Sequence, residues 1–387
     1  MPRVRCVKSI AVQRTGRVRQ LEGLFDLAPV EHAERVWEVE LPLEQREWRI
    51  GLIAGPSGCG KSTLARELFP KAFCEGFDWP TDRAVVDGFP ATLGIRRVTE
   101  LLSSVGFSSP PGWLKPFRVL SHGEQFRVTM ARALAEPGEL AVIDEFTSVV
   151  DRTVARIGSA AIARTLRRAP DQGGEPGAGP PKRFVAVSCH EDIIDWLQPD
   201  WTYNPATDQF QWRSLRPRPP IELEIVRVPR NAWRLFMPHH YLSGHLHRSA
   251  QCFVARFEGR PAAFTAVLSH PDPLGGYWRE HRSVCLPDFQ GVGIGHALSE
   301  FVASLFAATG KRYLSVTSHP GMIRHRLRSP LWVMYRTPTL GRRNTGGEQS
   351  LNRTASLTRR TAGFRYVGPA NEEAARRIGG IRLKAGD

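Results

Sequence analysis

Short apolar runs broken by glycine-rich turns set the pattern of this chain. Residues 50–54 (IGLIA) predict a short strand, and Ser62 to Phe69 predicts a helix close behind it. Leu140 to Ile143 is a second apolar strand that ends on two carboxylates, Asp144 and Glu145, and Phe184 to Ser188 is a third. Further on, residues 251–258 (QCFVARFE) and 262–268 (AAFTAVL), joined by Gly259-Arg260-Pro261, predict a hairpin. Ser283 to Leu286 reads as a strand, His296 to Ala308 as an apolar helix and Leu314 to Thr317 as a strand. No run approaches 18 apolar residues, so no membrane helix is expected.

Polar and glycine–proline stretches divide these elements. Ala169 to Arg183 reads as a surface loop inside the first domain, because strand-like sequence follows it. Arg216-Pro217-Arg218-Pro219-Pro220 reads as a linker, and the polar, basic Gly341 to Arg360 as an arm or long loop. The expected domains are therefore residues 1–215 and 221–387, within the two to three that 387 residues predict.

Charge is one-sided. Residues 1–215 hold 27 basic and 27 acidic side chains, whereas residues 216–387 hold 26 basic and 11 acidic, so the whole net charge of +15 lies in the second half. Such a field attracts polyanions, nucleic acid foremost; a basic solubilising surface is the alternative. The six cysteines (6, 59, 74, 189, 252, 285) lack metal-ligand spacing and read as reduced thiols of a cytoplasmic protein. The basic N-terminus lacks the apolar core of a signal peptide.

Gly55-Pro56-Ser57-Gly58-Cys59-Gly60-Lys61-Ser62-Thr63 fits G-x-x-x-x-G-K-[ST], the phosphate-cradling P-loop, and has the strand–loop–helix context that motif needs. Backbone amides and the helix N-terminus would face the phosphates of ATP. Gly55, Ser57, Gly58, Gly60 and Thr63 would line them, Lys61 would reach the β/γ-phosphates and Ser62 would ligate Mg²⁺.

Further segments resemble the ABC-type ATPases over roughly residues 20–215. Leu120-Ser121-His122-Gly123-Glu124-Gln125 is similar to the ABC signature, Asp144-Glu145 to Walker B, Ser148 to Asp151 to the D-loop and His190 to the switch histidine. The resemblance implies Mg²⁺ held by Asp144 as well as Ser62, Glu145 as general base, and His190 sensing the γ-phosphate. It also implies a homodimer in which Ser121 and Gly123 complete the partner's ATP site. His122 stands where the family has glycine. Only 59 residues separate Ser62 from Ser121, and Asp87-Gly88-Phe89-Pro90 replaces a Q-loop glutamine. These reductions argue for a soluble ATPase module and against a transporter subunit.

Gln290-Gly291-Val292-Gly293-Ile294-Gly295, opening an apolar helix, fits Q-x-x-G-x-G and resembles the acyl-CoA loop of GNAT acyltransferases. The resemblance implies an α/β fold with a mixed sheet, and an acyl-CoA cofactor, acetyl-CoA by default, lined by Gln290, Val292, Gly293 and Gly295. Alternatively the glycines serve a tight turn or bind a nucleotide. Together with Pro238-His239-His240-Tyr241-Leu242-Ser243, the pattern resembles the Mom-like branch, which modifies adenine in DNA. By that resemblance His240 and Tyr241 lie near the acceptor and Tyr335 protonates the leaving group. No Asp or Glu occurs between Leu314 and Tyr335, which leaves His240, His319 or His325 as the candidate base. His245 and His247 form H-x-H without a third metal ligand.

The sequence thus points to two α/β domains, an ABC-type ATPase followed by a GNAT fold. The leading expectation is acyl transfer to a nucleic-acid base, in DNA more than RNA, extruded from its stack. A small amine or protein acceptor, and an ATP-switched regulator on an inactive GNAT scaffold, stay open.

Overall fold

The computed structural model describes residues 3–167, 182–213, 217–241, 244–273, 275–340 and 359–378. The chain divides into two compact units, one of residues 1–77, 137–148 and 166–217, the other of residues 78–136, 149–165 and 218–387. One division falls at the expected linker, but residues 1–215 are not a single unit. Residues 78–136 and 149–165 group with the C-terminal half because their buried side chains find partners there: Arg127 donates to the carbonyls of Asp288 and Gln290. The expected loop 169–183 and arm 341–360 lie outside the described residues except at their last two positions.

In the first unit, β3 (Ile50–Ala54) is buried at every position. An apolar run without alternation suits a central parallel strand covered on both faces. It pairs in parallel with β6 (Arg183–Ser188) and β7 (Trp201–Asn204); β5 (Leu140–Ile143) continues the parallel sheet beyond β6, and β4 (Phe73–Cys74) beyond β5. β8 (Gln209–Trp212) closes the other edge antiparallel to β7, so the order is β4-β5-β6-β3-β7-β8. α2 (Lys61–Leu68) follows β3 and buries Leu64, Ala65 and Leu68. α7 (Ile194–Leu197) precedes β7. A separate antiparallel pair, β1 (Arg3–Ala11) and β2 (His32–Glu40), carries α1 (Gly16–Phe25) between its strands. The core gathers Val39, Ile53, Leu64, Val142, Val187 and Trp201, with Trp48 edge-on to Trp201 at 5.5 Å.

The second unit has a seven-stranded mixed sheet. β9 (Glu224–Val228), β10 (Gln251–Phe257), β11 (Arg260–His270) and β12 (Tyr277–Cys285) are antiparallel neighbours. β12 meets β13 (Arg312–Thr317) in parallel, and β15 (Arg360–Tyr366) and β14 (Trp332–Leu340) complete the order β14-β15-β13-β12-β11-β10-β9. The β10–β11 turn is one residue tighter than expected. Glu258 and Gly259 hold φ of 49° and 75°, the double positive φ of a two-residue hairpin loop, and Phe257 pairs with Arg260. α8 (Trp233–Phe236) packs Trp233 and Phe236 on Phe264. α9 (Ile294–Ala307) follows β12, and α10 (Pro320–Arg328) follows β13. α3 (Ile95–Ser104), α4 (Pro110–Trp113), α5 (His122–Ala135) and most of α6 (Arg152–Arg167) also belong to this unit.

Candidate active sites

The C-terminal ends of β3, β5 and β6 lie side by side, since Ala54 pairs with Ser188 and Ile143 with Ala186. That edge of a parallel sheet is where ligands bind in open α/β folds. It brings together Gly55 to Thr63, Asp144, Glu145 and His190. Ser62 Oγ donates to Asp144 Oδ1 at 2.9 Å, and the same oxygen accepts the Glu145 N–H at 2.9 Å. Hydroxyl and carboxylate are thus already within reach of one cation. Lys61 Nζ donates to the Pro56 carbonyl at 2.8 Å, folded over its own loop. Glu145 is exposed with φ 47°, and buried Thr147 has φ 69°. Non-glycine residues rarely adopt this region, so the turn after β5 is held by its surroundings, including the Phe146 N–H donating to Val187 O at 2.8 Å. The His190 N–H donates to Ser188 Oγ at 3.1 Å.

Two residues of this site escape sequence reading. Trp37 Nε1 donates to Cys59 O at 3.2 Å, and Arg35 Nη1 to Gly58 O at 2.6 Å, with the guanidinium 5.1 Å above the Trp37 ring. A methyl on Gly60 (φ 98°) would strike Trp37 at 2.4 Å, so the ring fixes the need for glycine there. Both side chains come from β2, whose exposed, polar sequence carries no signal of a P-loop partner.

Ser121 and Gly123 belong to the second unit. Ser121 caps α5 in a reciprocal box with Glu124: its Oγ accepts the Glu124 N–H at 3.3 Å, and Glu124 Oε2 accepts the Ser121 N–H at 3.0 Å. Gly123 faces Asp288, whose Oδ1 would lie 3.3 Å from a methyl built on that glycine.

The GNAT-like loop stands between β12 and α9. β12 pairs with β13 only through Tyr277 to Arg279, after which the two parallel strands run on to Cys285 and Thr317 unpaired with each other. The sheet therefore splits beside the loop. Gln290 is 7% exposed; its Oε1 accepts the Ser108 N–H at 2.6 Å and its Nε2 donates to Cys285 O at 2.7 Å. This side chain, an expected cofactor contact, fastens the loop to residues between α3 and α4. Arg127, 1% exposed, donates to Val105 O, Gln290 O and Asp288 O. Gly291 (φ 90°) packs against Gly106 and Ala161 so closely that a methyl would come 2.8 Å from each. Val292 is half-buried. Gly293 (φ 100°) is the N-cap of α9, and a methyl there would meet only Arg164 Nη1, at 3.6 Å. The Gly295 N–H is directed to the Cys285 thiol, which burial nonetheless raises to about 12. A left-handed glycine at the head of a 14-residue helix, open on one side beside a guanidinium, fits a phosphate. Gln290 and Gly291 do not share that opening.

His240 is buried between Trp233, edge-on at 5.5 Å, and Tyr241, stacked at 5.2 Å. Tyr241 accepts from Ser318 Oγ at 3.3 Å and carries Arg359 over its ring. Tyr335 is 49% exposed on β14 and lies over Gly363 of β15, with its phenol raised by burial. Two of the three candidate bases are engaged elsewhere. His319 Nε2 contacts Ser108 O at 2.8 Å while Nδ1 accepts the Met322 N–H as the cap of α10, so both nitrogens are used. His325 contacts Glu300 at 2.8 Å and stacks on His296 at 3.8 Å. A carboxylate does stand in the fold, upstream of the stretch from Leu314 to Tyr335. Glu280 of β12 is buried against Arg326, Ser299 and Ser315. Burial opposes its ionisation, but Arg326 and the hydroxyls outweigh that and hold it below its ordinary range. Among the described residues no group of three or more His, Cys, Asp or Glu could hold a metal, and no helix is long and apolar enough to cross a membrane.

Residues 191–326 match the family model described as Acetyltransferase (GNAT) family. The match spans the Gln290 loop, β12, β13 and most of α10. No curated protein matches the chain. Solved structures similar to part of it include the dimeric structure of MJ0796, a bacterial ABC transporter cassette, at 17% identity, 47% of this chain, 94% of that one and a TM-score of 0.35. Another is the ADP conformation of MJ1267, an ATP-binding cassette of an ABC transporter, at 15% identity, 46% and 82% coverage and a TM-score of 0.31. At such scores the reading of the nucleotide site rests on this chain's own motifs. The fold is mixed α/β, with a P-loop parallel sheet and a GNAT domain.

Proposed function

We propose that this chain is an ABC-type ATPase joined to an N-acyltransferase, acting on an amine of a nucleic-acid base. The carrying observation is the Gln290–Gly295 turn at the head of α9, beside a split between two parallel strands, inside the region that matches the GNAT family. Acyl-CoA, acetyl-CoA in the simplest case, supplies an activated thioester when bound. On such a thioester the acceptor nitrogen would form the C–N bond as the C–S bond breaks; the nitrogen would give up one proton to solvent, and the departing thiolate would take one from a donor that solvent re-protonates. Tyr335, kept protonated by burial and half exposed, suits that donation; His240 and Tyr241 form the aromatic wall for the acceptor.

ATP and Mg²⁺ fit the first unit. Ser62 and Asp144 share the cation, Lys61 swings from Pro56 O to the phosphates, and Glu145 orients water. Ser121 and Gly123, on the other unit, would act on a partner's nucleotide in a homodimer. The excess of positive charge in residues 216–387 supports a nucleic-acid acceptor. The test is release of CoA thiol from acetyl-CoA with DNA, RNA, a small amine or a lysine peptide as acceptor; release with the last two alone moves the acceptor away from nucleic acid.

A second reading, an ATP-switched regulator on an inactive scaffold, is supported by the packing of Gly291 on Gly106 and Ala161 and by the engagement of His319 and His325. It requires that acyl transfer be absent and that the Tyr241→Phe, Tyr335→Phe double variant keep the biological activity.

A further inference from the structure

α6 runs along the outside of the Gln290–Gly295 loop. Its Ala161 touches Gly291, and one turn on its Arg164 lies beside Gly293. Arg164 is half-buried, and among the described residues no hydrogen bond or ion pair reaches it. Burial disfavours its charge first, and Arg218 adds repulsion. It also faces the start of α9, where Gly293 offers no capping side chain and the helix dipole is positive. The groups around the nearby His296 are basic as well: His325, Arg326, His319 and Arg164 itself, which together with burial hold that imidazole neutral. A lone guanidinium against a positive helix end costs stability unless an anion lies between them.

We propose that Arg164 is a ligand of the cofactor's diphosphate, completing the acyl-CoA site from outside the GNAT domain. The proposal rests on the acyltransferase reading above. Gly293 provides the opening, the first N–H groups of α9 take one face of the phosphate, and the Arg164 fork takes two oxygens on the other. The site is then composite: the loop lies in residues 191–326, and the cation comes from α6, upstream of that region. A guanidinium bonded in pairs to phosphate contributes enough to change affinity at least tenfold when removed.

The experiment is calorimetric titration of CoA into the full chain, with excess Mg-ADP filling the P-loop, for the native protein, Arg164→Ala and Arg164→Lys. Thermal melting of each is followed with and without CoA. The expected result is binding to the native protein, at least tenfold weaker binding to Arg164→Ala, and a partial return in Arg164→Lys. The melting temperature of ligand-free Arg164→Ala should be equal or higher, because an unpaired half-buried cation has gone, while its rise on adding CoA is lost. Equal CoA affinity in native protein and Arg164→Ala overturns this inference and leaves the acyltransferase reading standing. No CoA binding to the native protein removes both. A lowered melting temperature in both ligand-free variants shows a structural role and also overturns it.

Discussion

The side-chain oxygen of Gln290 accepts a hydrogen bond from the backbone N–H of Ser108 across 182 positions of sequence, at 2.6 Å. One residue opens the GNAT-like loop; the other sits between α3 and α4 in the stretch that precedes the ABC-like signature. Arg127 of α5 reinforces the joint through Gln290 O and Asp288 O. The GNAT-like loop and the signature helix thus belong to one packed body.

Gln290→Ala should therefore behave as a stability variant. It orphans the Ser108 N–H and the Cys285 carbonyl, both in a partly buried joint. The expected cost is about 1–3 kcal/mol for each orphaned group. Denaturant unfolding measures it; an unchanged midpoint would mean the joint does not hold in solution.

Acid should weaken the second unit in two steps. His281, on β12, accepts the His247 N–H through Nε2 and is held neutral, its pKa lowered to about 3 by burial and by Arg282 and Arg279. Below its ordinary 6.5 the unfolded chain binds a proton that the folded chain does not, so stability falls as pH drops from 6.5 toward 3. Glu280, held below its ordinary 4.5, adds stability that is present above that value and lost as pH falls through its folded pKa. His281→Gln should flatten the slope of stability against pH above 4.5 by up to one proton and leave the lower step in place. Urea titrations at several pH values test this.

The nucleotide site yields a split between binding and turnover. Lys61→Ala should weaken Mg-ATP binding at least tenfold, since it removes a charged donor to phosphate. Glu145→Gln should bind ATP with near-native affinity yet lose about 10²–10⁴ of the hydrolysis rate, as loss of a general base does. Equal hydrolysis by Glu145→Gln and the native protein would remove Glu145 from that role.

What the sequence made legible was local. Gly55 to Thr63 and Gln290 to Gly295 each lie between a strand and a helix, and the chain's own turn chemistry specifies them; β3, β6, α2 and α9 appear within a few residues of expectation. What stayed hidden depends on partners far away in sequence. Arg127 reads as an ordinary helix arginine until Asp288 and Gln290 are beside it, 161 and 163 positions on. The grouping of residues 78–136 and 149–165 with the C-terminal half depends on the same distant partners. His319 and His325 stand among the candidate bases because a sequence does not reveal Ser108 O or Glu300 against their rings. Glu280 was missed because one acid in an alternating strand resembles a solvent-facing residue, and only the fold turns it onto Arg326.

Tyr335 supplies a test of the transfer chemistry. Tyr335→Phe removes the proposed proton donor without touching the loop, so acyl transfer should fall about 10²–10⁴-fold while CoA affinity is kept. An equal rate would leave the phenol only its packing over Gly363.

The most direct measurement is mass spectrometry of nucleosides after the full chain has been incubated with acetyl-CoA, Mg-ATP and DNA, with a parallel RNA reaction. The account predicts a base carrying one added acetyl group, formed about 10²–10⁴-fold more slowly by Tyr335→Phe. Unmodified nucleosides from both nucleic acids, with native protein that binds CoA and hydrolyses ATP, would contradict it.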